Sequence, residues 1–120
     1  MDSNQLKNRT KSFSIVILDL VEKLPNTISR RSVSNQIVRS GTSVGANYRA
    51  VCRARSDKEF IAKMGVVIEE VDETLFWLEI IQAKSWVDNT NLAPILIEDN
   101  ELTSIFVSSV KTIKQRISKS

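Results

Sequence analysis

Leu6, Thr10, Phe13, Ile17, Leu20 and Leu24 recur at alternating steps of four and three residues. That spacing lines one face of an α-helix and cannot line one face of a strand. The alternation returns at Val33, Ile37, Ser40, Val44, Asn47 and Val51. A third stripe runs through Phe60, Met64, Val67, Val71 and Leu78, with Leu75 at its edge, and a fourth through Ile95, Leu102, Phe106, Ser109, Ile113 and Ile117. Only three glycines and two prolines interrupt 120 residues, and no alternating apolar/polar run speaks for a sheet. Four amphipathic helices with short connections fold as an all-α, antiparallel up-down-up-down four-helix bundle, here one domain spanning 1–120.

Local signals place the helices near 5–24, 30–54, 57–84 and 91–117. Ser3 or Asn4 can cap the first, and Pro25 stops it because proline lacks the amide and pushes its predecessor out of the α region. Ser56 reads as the cap of the third helix, with Glu59 three residues later completing a capping box. Thr90 or Asn91 can cap the fourth, with Pro94 in its first turn. Acids near the start of that helix (Glu98, Asp99, Glu101) and bases near its end (Lys111, Lys114, Arg116) suit its dipole. Gly41 and Gly45 lie inside the second helix, where each costs about 1 kcal/mol relative to alanine. A helix that keeps both has another backbone lying close against it.

The composition removes most chemistry. There is no histidine, hence no Ser-His or Cys-His pair and no Glu-x-x-His metal motif, and the single Cys52 rules out thiolate zinc sites and an internal disulfide. Cys52 reads as a small buried hydrophobe. Gly-Thr-Ser-Val-Gly (41–45) lacks the lysine of a phosphate loop and sits within a helical pattern. Glu69, Glu70, Asp72 and Glu73 could form a paired-carboxylate site only within a cleft; on a charged helix face they are solvated or paired. The expectation is a non-enzymatic protein with no metal, cofactor or small-molecule substrate. No apolar run is longer than Ile15–Leu18, which is far too short to span a bilayer, and the N-terminus lacks the basic and apolar regions of a signal peptide. A cytoplasmic protein with no membrane partner is expected.

Charge is unevenly distributed. Residues 1–55 carry a net +7, residues 56–102 a net −8 and residues 103–120 a net +4. The basic and acidic parts therefore meet each other, within a chain or between copies, or the basic part meets a polyanion. On a helical wheel, Val33, Ile37, Val44, Tyr48 and Val51 share one side of the second helix, while Arg31, Arg39, Arg49 and Arg53 share the other. In an antiparallel pair joined near residue 56, Arg39 comes level with Asp72 and Glu73, and Arg53 with Glu59. Arg39, Glu59, Glu70 and Glu73 are thus candidates for structural pairing. Gly41 and Gly45 are candidates for close packing, within the bundle or between copies, and Phe76 and Trp77 are candidates for a subunit interface. Lys7, Arg9, Lys11, Arg30, Arg31, Arg49, Arg53 and Arg55 form a candidate footprint for a nucleic-acid backbone. The alternative is a structural or protein-interaction module whose Arg and Glu faces are consumed in subunit contacts.

Gln36-Ile-Val-Arg-Ser-Gly-Thr-Ser-Val-Gly-Ala-Asn-Tyr-Arg, Ser56-Asp-Lys-Glu-Phe and Glu73-Thr-Leu-Phe-Trp-Leu-Glu resemble the small bacterial four-helix-bundle proteins encoded in intervening sequences of large-subunit ribosomal RNA genes. Ala50 and Val51 depart from the acidic residues that many members carry after the tyrosine. The resemblance implies a ring-like homopentamer and no enzymatic activity. It also implies kinship in fold with the basic, pentameric accessory protein of diversity-generating retroelements, which binds nucleic acid and a reverse transcriptase. RNA or DNA is the partner that this analogy indicates.

Overall fold

A computed structural model of the chain describes residues 1–119 and consists of α1 (Ser3–Glu22), α2 (Ile28–Val51), α3 (Asp57–Ala83) and α4 (Asn89–Ser118). The helices run up-down-up-down in a bundle of 53 × 21 × 21 Å. The stripes read from the sequence supply the core: Phe13 and Ile17 from α1, Ile37 and Val44 from α2, Met64, Val67, Val71 and Leu78 from α3, and Leu102 and Phe106 from α4 are all buried. Tyr48 joins them, stacked on Phe106 with ring centroids 6.0 Å apart. The last members of the α4 stripe do not: Ile117 is exposed and Ile113 half-buried, because α4 outruns the core. Cys52 is half-buried.

The third helix starts at Asp57 as expected, and the other helix ends differ from expectation by one to three residues. Asp2, not Ser3 or Asn4, caps α1: its carboxylate accepts the Gln5 amide at 2.8 Å while the Gln5 side chain accepts the Asp2 amide at 3.0 Å. Thr27 caps α2 and starts it at Ile28, and the chain leaves the helix after Val51. Ser56 caps α3 by accepting the Glu59 amide at 3.0 Å. The Glu59 carboxylate turns to Lys63 at 3.0 Å rather than back to the cap. Asp88 caps α4, so Pro94 falls in the second turn, where its missing amide removes one backbone bond. The turn before α4 is a Schellman motif: Trp86 N–H reaches the Ile81 carbonyl at 3.2 Å, with Ser85 in the left-handed region at φ 53°.

Packing between neighbours is uneven. α2 and α3 form the central pair; α1 packs on α2 and α4 on α3, while α1 and α4 touch little. The α1–α2 contact is close because of glycine. A Cβ on Gly41 would sit 2.9 Å from Ile17, and one on Gly45 would sit 3.3 Å from the Thr10 backbone. Both glycines therefore serve a close helix–helix contact inside one chain, the packing role their place within a helix calls for.

Candidate nucleic-acid interface

An up-down-up-down bundle brings the N-termini of α1 and α3 to the same end as the C-termini of α2 and α4. The Arg116–Asp57 ion pair at 2.6 Å, from the end of α4 to the start of α3, fixes that arrangement. Charge blocks that are far apart in sequence consequently merge. Lys7 and Lys11 from α1, Arg49, Arg53 and Arg55 from α2 and its loop, Lys58 from α3, and Lys111, Lys114 and Lys119 from α4 all populate this end. Its acids are few and mostly engaged. Asp57 is held by Arg116, and Glu59 by Lys63 and, at 3.8 Å, Arg55. The bond from Lys63 holds the Glu59 carboxyl below its ordinary range. Arg49, Arg53, Lys111 and Lys114 are exposed, and none forms an ion pair among the described residues.

Two surface features belong to this end. Lys11 and Arg49 flank a shallow groove between α1 and α2, floored by Ser14, Thr42, Gly45 and Ala46. The small residues that let the helices approach also keep that groove open. At the tip, Tyr48, Cys52, Phe60 and Ile113 line a cup of about 410 Å³ rimmed by Arg55 and Arg116. Burial, followed by the neighbouring Cys52 thiol, pushes the Tyr48 hydroxyl well above its ordinary range, so it stays a neutral phenol.

The eight-residue footprint expected from sequence is not one patch. Arg9 is withdrawn from it: its guanidinium grips Glu98 through two hydrogen bonds of 2.6 and 2.7 Å and also reaches Glu101, clasping α1 to α4. These two carboxylates hold its pKa well above the usual range, with the Glu98 hydrogen bond the largest cause. Arg30 and Arg31 are withdrawn as well. They lie at the start of α2, about 34 Å from Arg53 at 1.5 Å of rise per residue, and Arg30 packs over the Trp86 ring at 5.3 Å. Lys111 and Lys114 enter instead. In the sequence they suit the helix dipole and belong to the basic block 103–120, and the up-down topology carries that block to this end.

Arg39 bridges to Glu70 at 3.3 Å and to Glu73, both on α3 of the same chain. Glu73 also accepts the Trp77 indole N–H at 3.3 Å. The Arg39 bond, seconded by Trp77, keeps the Glu73 carboxyl ionised below its ordinary range. Trp77 is half-buried, whereas Phe76 stands 52% exposed and edge-on to it. Glu69, Asp72 and Glu79 are exposed on this same helix. Arg53 does not meet Glu59, contrary to its helical level; the shorter reach from Arg55 and Lys63 occupies that carboxylate. Among the described residues no cluster of three or more His, Cys, Asp or Glu could hold a metal ion, and no helix is long and apolar enough to cross a membrane.

Residues 2–108 match the family described as 23S rRNA-intervening sequence protein. The chain belongs to that family. A crystal structure from Bacteroides thetaiotaomicron VPI-5482, described as a protein with unknown function from the S23 ribosomal protein family, is similar throughout. It shares 32% identity with this intervening-sequence protein, with a TM-score of 0.84 over 92% of this chain and 99% of the other. Among curated proteins, none matches the chain. The family membership and the four-helix fold thus agree with the resemblance drawn from Gln36–Arg49 and Glu73–Glu79.

Proposed function

We propose that this intervening-sequence family protein is a non-catalytic, cytoplasmic, oligomeric bundle that binds RNA or another nucleic acid through the basic end of its helices. One observation carries the reading: cations from all four helices converge on one end of a narrow bundle, and most of them are left unneutralised. Arg49, Arg53, Lys111 and Lys114 are free to take phosphates, because the nearby carboxylates already have partners. Counter-ion release from a nucleic-acid backbone is the interaction that such an arrangement favours. Self-association multiplies the effect, since a ring of copies in register presents a continuous basic rim. Phe76, exposed within the acidic face of α3, is the apolar anchor that such an assembly would cover. A homopentamer is the assembly we expect.

The alternative, a pure interaction module with its arginines consumed between subunits, gains nothing from Arg9 and Arg39, which pair within one chain, and leaves Arg49 and Arg53 without a role. Fluorescence titration with short RNA at several salt concentrations tests the proposal. Binding that weakens linearly in log–log form with salt supports it, and no binding at low salt removes it. Light scattering tests the assembly separately.

A further inference from the structure

α4 carries an acid where its core stripe calls for a hydrocarbon. Ile95, Asp99, Leu102 and Phe106 follow one another at steps of four, three and four, and all four are buried. Asp99 is 0% exposed, and neither of its carboxyl oxygens has a hydrogen-bond partner among the described residues. Native interiors rarely leave such a group unpaired, because an unpartnered buried carboxylate is far more costly than a neutral acid.

The surroundings offer it no cation. From α3 the nearby charges are Asp72 and Glu79, both negative. On α2, Arg39 is drawn to Glu70 and Glu73. On the α1 side, Arg9 is taken by Glu98 and Glu101 of α4 itself. The Thr103 hydroxyl, one turn on, donates to the backbone carbonyl of Asp99 at 2.9 Å. Burial first, then repulsion by Asp72 and Glu79, push the Asp99 carboxyl up to about 7.

We propose that the proton on Asp99 controls the seating of α4: with it, α4 stays docked in the bundle; without it, α4 loosens along its seam with α1. That seam is where opening is easiest, because α1 and α4 touch little apart from the Arg9 clasp at the surface. Local opening lets the charge reach water without unfolding α2 and α3. The sign follows from linkage. Between the ordinary value of 3.8 and about 7, the folded chain keeps a proton that the unfolded chain has released. Stability from this group is therefore full below the lower value and falls as pH rises to the upper one.

The test compares wild type with Asp99→Asn, which is close in size and cannot ionise. Urea unfolding is followed from about pH 4 to about pH 8, with hydrogen exchange of each helix corrected for the intrinsic pH dependence. The wild-type unfolding constant, relative to that of the variant, should rise about tenfold per pH unit up to about 7 and then level off. Protection in α4 should fall before that in α2. A carbon-13 titration of the Asp99 carboxyl in the wild-type protein keeps the test open if the variant folds poorly, and should give a midpoint near 7. Parallel unfolding profiles, a midpoint near 4, or protection lost evenly over all four helices would each overturn the proposal.

Discussion

The Ser14 hydroxyl of α1 donates to the Gly41 carbonyl of α2 at 2.9 Å, a side chain-to-backbone bond between helices. It exists because Gly41 and Gly45 present bare backbone to the neighbouring helix. The motif that looks most like a phosphate loop in the sequence is a close helix–helix contact of the fold.

Alanine at the glycines should therefore act with opposite signs. At Gly41 a Cβ meets Ile17 at 2.9 Å, whereas at Gly65 nothing lies within 4 Å. Gly41→Ala should destabilise by about 1–2 kcal/mol, overpacking exceeding the helix-propensity gain. Gly65→Ala should stabilise by up to about 1 kcal/mol. Chemical denaturation of both variants checks the pair, and equal signs would contradict the close-packing assignment.

Ser85 holds a left-handed conformation at the end of α3. An L-residue with a Cβ costs roughly 1 kcal/mol there relative to glycine. Ser85→Gly should raise stability by about that amount, while Ser85→Val should lower it. Thermal unfolding distinguishes them.

The Trp77 indole reports on Glu73. Because Arg39 lowers the Glu73 pKa, the pair contributes stability above the ordinary carboxylate value of 4.5 and loses it as pH falls through the lower folded value. In a Trp86→Phe background, acid titration of Trp77 fluorescence should show a midpoint below 4.5. Arg39→Gln should move that midpoint upward. An unmoved midpoint would show that Arg39 does not govern the carboxylate.

The four helices were legible because a core stripe repeats every three or four residues whatever its neighbours. Their ends were less so, since Asp2, Thr27 and Asp88 are as good caps as the residues next to them. Arg9 was misread because its partners, Glu98 and Glu101, lie on the helix farthest away in sequence, and only the folded seam brings them together. Lys111 and Lys114 were within reach of the sequence, since the up-down topology alone brings the end of α4 beside the end of α2, but the helix dipole accounts for them without it. Asp99 did leave a signal: the α4 stripe jumps seven residues from Ile95 to Leu102, and Asp99 fills the vacant step. Its proximity to the helix start made the dipole a sufficient explanation.

The basic end is the central claim, and its most direct measurement is the salt dependence of RNA binding by three proteins. Wild type, Arg53→Glu/Lys114→Glu, and Arg9→Met are titrated with the same short single-stranded RNA, log K being plotted against log salt. Each phosphate neutralised on a single strand contributes about 0.7 to the slope. The account predicts a clear slope for wild type and one shallower by about 0.7 per lost phosphate contact, about 1.4 in all, for the double variant. It predicts an unchanged slope for Arg9→Met, because that guanidinium is already held by Glu98 and Glu101. Equal slopes for wild type and the double variant, or no RNA binding at all, would contradict it.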